Sequence, residues 1–241
     1  MQCLTPAAVQ PGGPTRTLFI IGDSHAGAMH PALTAVTSGR MRMAFAGAVR
    51  STWDNGGDGG GDDDDDRRRL QDNSWIQMTM AGLSANMRRG DALCLVFRDF
   101  SAASGQLDNT WGGHISDWLR HNMFPTLPAG TSVVLLGDNP RLSNQPTLCH
   151  SNHALCSGQY NGAQDQQLQV FAAAIRERIQ TINVNVFIQT PLWRVPAGRH
   201  FWGNVPGTNT NAYWDNNHLL ESGTSYLVPY LCSQFQEWGL F

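Results

Sequence analysis

The sequence predicts a three-layer α/β/α sandwich on a five-stranded parallel sheet. Five short, largely apolar runs lack the in–out alternation of a half-exposed sheet, as strands covered on both faces do. Stretches of helical periodicity separate them, giving an alternation that a doubly wound fold requires. Polar, chemistry-bearing residues stand directly after the first run and in the long loop after the fifth. Right-handed crossovers put all strand C-termini on one edge of such a sheet, where its sites form.

Thr17–Ile21 is the first strand and Ala26–Val36 the helix after it. Met41–Ala46 is the second strand. A helix over Ser74–Arg89 follows, with Ile76, Met80, Leu83 and Met87 as its inward stripe and Trp75 beside it. Ala92–Phe97 is the third strand. Ile115–Met123 reads as a shorter helix on Ile115, Trp118 and Leu119. Ser132–Leu136 is the fourth strand. Ala163–Ile182 carries the clearest stripe: Leu168, Phe171, Ala172, Ile175 and Ile179. Val184–Ile188 is the fifth strand. A last helix runs from Ser222, a good N-cap, to Phe235.

The 241 residues suffice for one well-buried α/β domain and are few for two. Residues 1–16 read as an irregular N-terminal segment and 17–241 as the domain, with a low-complexity insertion at Asp54–Arg69. That Gly- and Asp-rich block cannot pack a core. Its aspartates lack EF-hand spacing, so a solvated loop is the expectation rather than a calcium site. A net charge of −3 gives no electrostatic case for nucleic acid or an anionic membrane as partner. No run reaches the roughly 18 apolar residues of a membrane span, and the start lacks the apolar stretch of a signal peptide.

There are five cysteines, an odd number. Cys94, in an apolar strand, reads as a small buried hydrophobe. Cys149 and Cys156 share a polar segment and are spaced for a short disulfide in an oxidising compartment. With His150 and His153 they also suggest a zinc cluster, but the spacing fits none of the standard pairs, so no metal is expected.

The chemistry centres on Gly22-Asp23-Ser24-His25, where the first strand breaks off and a helix begins. A serine hydroxyl is a poor nucleophile until a base takes its proton, and that base needs a carboxylate to orient it. Asp215-Asn216-Asn217-His218 supplies both, three residues apart, remote in sequence but on the same predicted edge. Without that pair, Ser24 would read as a helix cap. With it, Ser24, Asp215 and His218 form a candidate triad. His25 is the competing base, set aside because a helix neighbour points away. The N–H of Ser24, at a helix N-terminus, is a natural oxyanion donor. Trp193–Trp214, rich in Gly, Asn, Pro and Trp, leads into Asp215 and reads as one wall of a cleft, with Trp202 and Trp214 as candidate substrate contacts.

The early Gly-Asp-Ser and late Asp-x-x-His resemble the SGNH hydrolases, flavodoxin-like esterases and acyltransferases. Gly22-Asp23-Ser24-His25-Ala26 with Met29-His30-Pro31-Ala32-Leu33, Gly137-Asp138-Asn139-Pro140-Arg141, Cys149, and Asp215-x-x-His218-Leu219 with Gly223 are together similar to the SGNH domain fused to acyltransferase-3 membrane proteins. The resemblance covers Thr17 to the end apart from the acidic insertion. It implies Ser24 as nucleophile, His218 as base, Asp215 as its orienting acid, and oxyanion donors after the second and third strands. Gly47 fits the glycine block. Most SGNH enzymes carry Asn after the third strand, whereas this chain reads Phe97-Arg98-Asp99; Arg98 is the candidate there, and Asn139, one strand later, reads as a loop residue. The implied activity is O-acyl, in particular O-acetyl, transfer to or hydrolysis from a carbohydrate, with no metal or organic cofactor. The implied partners are a carbohydrate acceptor and a membrane acyltransferase domain delivering the acyl donor, in an extracytoplasmic or lumenal setting. A simple esterase differs only in its acceptor. A non-catalytic carbohydrate-binding module, stacking sugars on Trp193, Trp202 and Trp214, is the reading from a different class.

Overall fold

The computed structural model describes residues 15–47, 81–83, 85–96, 119–142, 144–151, 158–159, 162–193 and 203–241. In chain order the strands are β1 (Thr17–Gly22), β2 (Arg42–Gly47), β3 (Ala92–Val96), β4 (Ser132–Leu136), β5 (Arg141–Leu142), β6 (Gly158–Gln159) and β7 (Asn183–Phe187). The α-helices are α1 (Ser24–Thr37), α2 (Pro146–Ser151), α3 (Gly162–Arg178) and α4 (Glu221–Glu237). β1, β2, β3, β4 and β7 form one sheet in the order β2-β1-β3-β4-β7, and every neighbouring pair is parallel. This is the flavodoxin-like strand order, whose switch point lies between β1 and β3.

Apolar residues on both faces explain why these runs become central strands. Leu18, Ile20, Cys94, Val134 and Leu136 face one core with Met29 and Leu33 of α1 and Leu227 and Leu231 of α4. Their neighbours Phe19, Ile21, Leu93, Leu95, Val133 and Leu135 face a second core with Phe124 and with Phe171 and Ile175 of α3. A one-residue slip would exchange the two sets, so side-chain size on each face fixes the register. At the N-terminal edge the buried Asp91 locks it further. Its carboxylate accepts from the N–H of Thr17 at 2.8 Å and of Arg88 at 2.7 Å.

The five expected strands are present with ends within one residue, Phe97 lying outside the described residues. The helices depart more. α1 starts two residues before the expected Ala26. α3 stops at Arg178, although Ile179 and Ile182 remain buried in the turn into β7. Of the helix expected over Ser74–Arg89, 81–83 and 85–86 are helical; Met87 is buried, while Ile76 and Met80 lie outside the described residues. Where Ile115–Met123 was expected to be α-helical, Leu119–Met123 is a π-turn running into a 3-10 turn at Phe124–Thr126. Pro125 lacks the N–H that would extend an α-helix there.

Ser222 is not the N-cap of α4. That position belongs to Leu220, which makes no side-chain cap bond, and the Ser222 hydroxyl donates to the carbonyl of Asn211. The β5–β6 ribbon, α2 and a 3-10 turn at Thr190–Trp193 had no sequence expectation. The acidic insertion at 54–69 lies outside the described residues.

Candidate active site

β1 ends where it must. A Cβ on Gly22 would lie 1.8 Å from the carbonyl oxygen of Val96 and 2.7 Å from Ala26 Cβ, so only glycine fits between β3 and the first turn of α1. The chain then turns at Asp23, whose extended backbone and carboxylate cap α1 by accepting the N–H of His25 at 2.9 Å. Because Asp23 is the cap, the hydroxyl of Ser24, the first residue of α1, is not consumed in capping. It is exposed at the C-terminal edge of β1, beside the switch point, at the helix end whose free N–H groups favour negative charge.

The partner comes from the other end of the chain. Ser24 Oγ is 2.7 Å from His218 Nε2, and His218 Nδ1 is 2.7 Å from Asp215 Oδ2. The spacing of three residues has a clear physical use. Asp215 Oδ1 accepts the N–H groups of Asn217 and His218, both at 2.8 Å, closing the turn, while Oδ2 takes the ring. Burial pushes the Asp215 carboxyl up, but the bonds from the His218 ring and the two N–H groups outweigh it and bring it down to about 2. An ionised Asp215 accepts Nδ1–H, which leaves the Nε2 lone pair to accept the Ser24 O–H.

Residues 203–220 form a compact loop that presents this turn. Short antiparallel bridges join Asn204 to Asn211 and Tyr213 to Leu219. The N–H of Trp214 donates to the His218 carbonyl and that of Leu220 to Ala212, both at 2.9 Å. Tyr213 is fully buried against Trp193, and its hydroxyl donates to the carbonyl of Pro140 at 2.7 Å.

His25, the competing base, is buried. Its Nδ1 is 3.3 Å from Asp23 Oδ1 and its Nε2 3.5 Å from Asp138 Oδ1, and its ring lies 4.6 Å from that of His218. Gly47 ends β2 in register with Gly22. The side-chain amide of Asn139 donates to the carbonyl of Asn217 at 2.9 Å. Arg98 and Trp202 lie outside the described residues. Trp214 is 60 % exposed beside Asp215, whereas Trp193 is 1 % exposed and packs between Tyr213 and Tyr226. Trp193 is therefore a packing anchor, which removes it from the stacking platform the sequence suggested.

Among the described residues no group of three or more His, Cys, Asp or Glu is arranged to hold a metal ion, and no helix is long and apolar enough to cross a membrane. Cys94 is a free thiol, fully buried, and burial pushes it far above its ordinary value. Cys232, on α4, is disulfide-bonded. The side chains of Cys149 and Cys156, expected to pair, lie outside the described residues. Sequence reasoning missed Asp138, Asn217 and Tyr213. The first stands in Gly137-Asp138-Asn139-Pro140-Arg141, the second inside the Asp-x-x-His spacing, and the buried hydroxyl of Tyr213 left no pattern to read.

A flavodoxin-order sheet with serine, histidine and aspartate joined at its switch point defines the class: an SGNH-type acyltransferase or esterase. The sequence model of the SGNH domain fused to AT3 domains matches residues 2–231, and the chain belongs to that family. Among solved structures, the fold is similar to the periplasmic domain of a lipopolysaccharide acetyltransferase from Salmonella ser. Paratyphi A. The TM-score is 0.51 at 13% identity, covering 96% of this chain and 85% of that one. The C-terminal catalytic domain of the peptidoglycan O-acetyltransferase A of Streptococcus pneumoniae also matches, with TM-score 0.37 and 13% identity over 94% of this chain and 95% of that one. No curated protein sequence matches the chain.

Proposed function

We propose that this domain transfers an O-acyl group, in particular O-acetyl, to a carbohydrate, or hydrolyses it from one, through an acyl-serine at Ser24. The observation that carries the proposal is the unbroken path from Ser24 Oγ through the His218 ring to Asp215, 2.7 Å at each step. His218 Nε2 takes the hydroxyl proton as Oγ attacks the acyl carbonyl. The tetrahedral oxyanion is held by the N–H groups of Ser24 and Gly47, with Arg98 assisting. Its collapse expels the donor's oxygen, which leaves with the proton from His218. A sugar hydroxyl, or water, then gives its proton to Nε2 and attacks the acyl-serine, and Oγ recovers that proton as the sugar ester, or with water the free acid, is released. Asp215 stays ionised throughout and stabilises the imidazolium. No metal or organic cofactor enters these steps.

Membership in a family fused to AT3 domains supports a membrane acyltransferase domain as the source of the acyl group. The Salmonella neighbour, a periplasmic domain of a lipopolysaccharide acetyltransferase, supports a glycan acceptor and an extracytoplasmic setting. The disulfide at Cys232 points to the same setting independently, because disulfides persist in oxidising compartments. Exposed Trp214 supplies flat apolar surface for a sugar ring, and Trp202 is the second substrate contact in this proposal.

A serine-directed phosphonate is the test. The expected result is stoichiometric labelling of Ser24, abolished in Ser24→Ala together with turnover of an aryl acetate. An unlabelled folded sample, or a Ser24→Ala protein with full function on its glycan, would replace the enzyme with a carbohydrate-binding module.

A further inference from the structure

We infer that Asp138 and Asn139, in the loop after β4, are positioning residues that set His218 for proton transfer, Asn139 through the backbone and Asp138 through His25. This rests on the proposed role of His218 as base and goes beyond it, since neither residue belongs to the triad or to the oxyanion donors.

Asp215 fixes the His218 ring relative to the turn, but something must fix the turn relative to Ser24, which sits on a different element. Asn139 does this from within the protein. It is 7 % exposed, and its amide donates to the carbonyl of Asn217, the residue just before His218, at 2.9 Å. Two further bonds join the same segments: Leu142 N–H to the Asn216 carbonyl and Tyr213 O–H to the Pro140 carbonyl, both 2.7 Å. The carbonyls of Asn216 and Asn217 are thus both tied to a loop that leaves the central sheet. A buried carbonyl that loses its donor costs more than the bond returned, so the turn has one favoured seat.

The ring receives a second constraint. Asp138 Oδ1 accepts the N–H of Asn139 at 2.8 Å and faces His25 Nε2 at 3.5 Å, while Asp23 faces Nδ1 at 3.3 Å. Buried at 4 % exposure with a carboxylate near each ring nitrogen, the His25 ring is confined by its packing. It lies 4.6 Å from the His218 ring at 31°, a tilted contact that limits the swing of His218 about its own side-chain bonds. The two anchors converge: adjacent residues of one loop constrain the backbone beneath His218 and the ring beside it. Proton transfer tolerates little misplacement, and an error of about 1 Å can cost about 100-fold.

The experiment measures phosphonate labelling rate, kcat and KM for aryl acetate, and the downfield proton resonance of His218 Nδ1–H, in Asn139→Ala, Asn139→Asp and His25→Gln. Asn139→Asp keeps the shape and loses the donor, which guards against a folding failure in the alanine variant. Phe171→Leu, in the opposite core, serves as a destabilised control. The expected result is a fall of about 10- to 100-fold in kcat and labelling rate for the Asn139 variants, with KM within about twofold and the Nδ1–H resonance moved or broadened. His25→Gln falls less, in the same direction. Phe171→Leu loses thermal stability without these changes. If the Asn139 and His25 variants keep kcat and labelling within about twofold of the unaltered protein, the positioning role is overturned. Ser24→Ala is run alongside: activity there would sink the triad reading itself, a failure distinct from that of the positioning role.

Discussion

The proposed nucleophile and its proposed base are held by different means. Ser24 is placed by secondary structure: a buried parallel strand, a glycine with no room for a Cβ, a helix and an aspartate cap. His218 is placed by a loop whose order comes from individual hydrogen bonds, most of them to carbonyls of its own turn or of the segment after β4. Damage to the first region is a folding problem, because β1 is central to the sheet. Damage to the second leaves the two cores intact and falls on chemistry.

The largest expected effect separates the two roles that meet at Asp23 and Ser24. Ser24→Ala removes the nucleophile and leaves the cap, so aryl-acetate turnover falls by about 10³-fold or more while Tm barely changes. Asp23→Ala does the reverse to α1, costing about 1 kcal/mol of stability through the lost cap. A Ser24→Ala protein that loses stability instead would mean the hydroxyl serves the fold.

On the base side, Asp215→Asn leaves His218 in the wrong tautomer and lowers kcat by up to about 10⁴-fold. The same variant has a pH signature. The folded Asp215 is held at about 2 against an ordinary 3.8. A carboxyl lowered on folding contributes stability that is fully present above its unfolded value and is lost as the pH falls through the folded one. Acid destabilisation between about pH 4 and 2 is therefore shallower in Asp215→Asn than in the unaltered chain, measured by denaturant unfolding at each pH. Asp215 stays ionised above that window, so it contributes no limb to the pH–rate profile there.

Two glycines sharpen the comparison directly. An alanine at Gly22 puts Cβ 1.8 Å from the Val96 carbonyl, inside the sheet, and one at Gly223 puts it 2.4 Å from the Ala212 carbonyl, in the loop. Gly22→Ala costs about 3 kcal/mol or more, read as a large drop in Tm or loss of folded protein. Gly223→Ala costs less stability because the loop can yield. It yields at Ala212, which accepts the N–H of Leu220 two residues beyond His218, so turnover falls first. Equal stability losses, or an unchanged turnover in Gly223→Ala, would erase the distinction between the regions.

The same distinction explains how much could be read from the sequence. The sheet was legible because Leu18, Ile20, Cys94 and Leu136 recur in short apolar runs, and those residues are the ones fully buried between the layers. The contact of Ser24, His218 and Asp215 was legible because Ser24 follows a strand at once and Asp215 precedes His218 by the spacing that lets one carboxylate close both a turn and a ring contact. The anchors of the loop were not legible. Asn139 acts on a backbone carbonyl 78 residues away, and no periodicity records a bond between a side chain and a distant main chain. Local periodicity also failed at Leu119–Met123, where Pro125 decides the turn, and residue type failed at Ser222, whose cap-like hydroxyl is taken by the carbonyl of Asn211.

The smallest expected effect concerns the surface between the two regions. Trp214 is directly before Asp215, and its backbone N–H helps close the turn by donating to the His218 carbonyl, a bond that Trp214→Ala preserves. Its side chain is 60 % exposed, so little packing is lost with it. If the ring stacks on the sugar acceptor, its removal costs about 1 kcal/mol of binding, near fivefold in the acceptor's KM, with kcat for aryl acetate unchanged. A fall in aryl-acetate kcat instead would show that Trp214 orders the turn, and the loop would then hold its base by one more side chain than the hydrogen bonds account for.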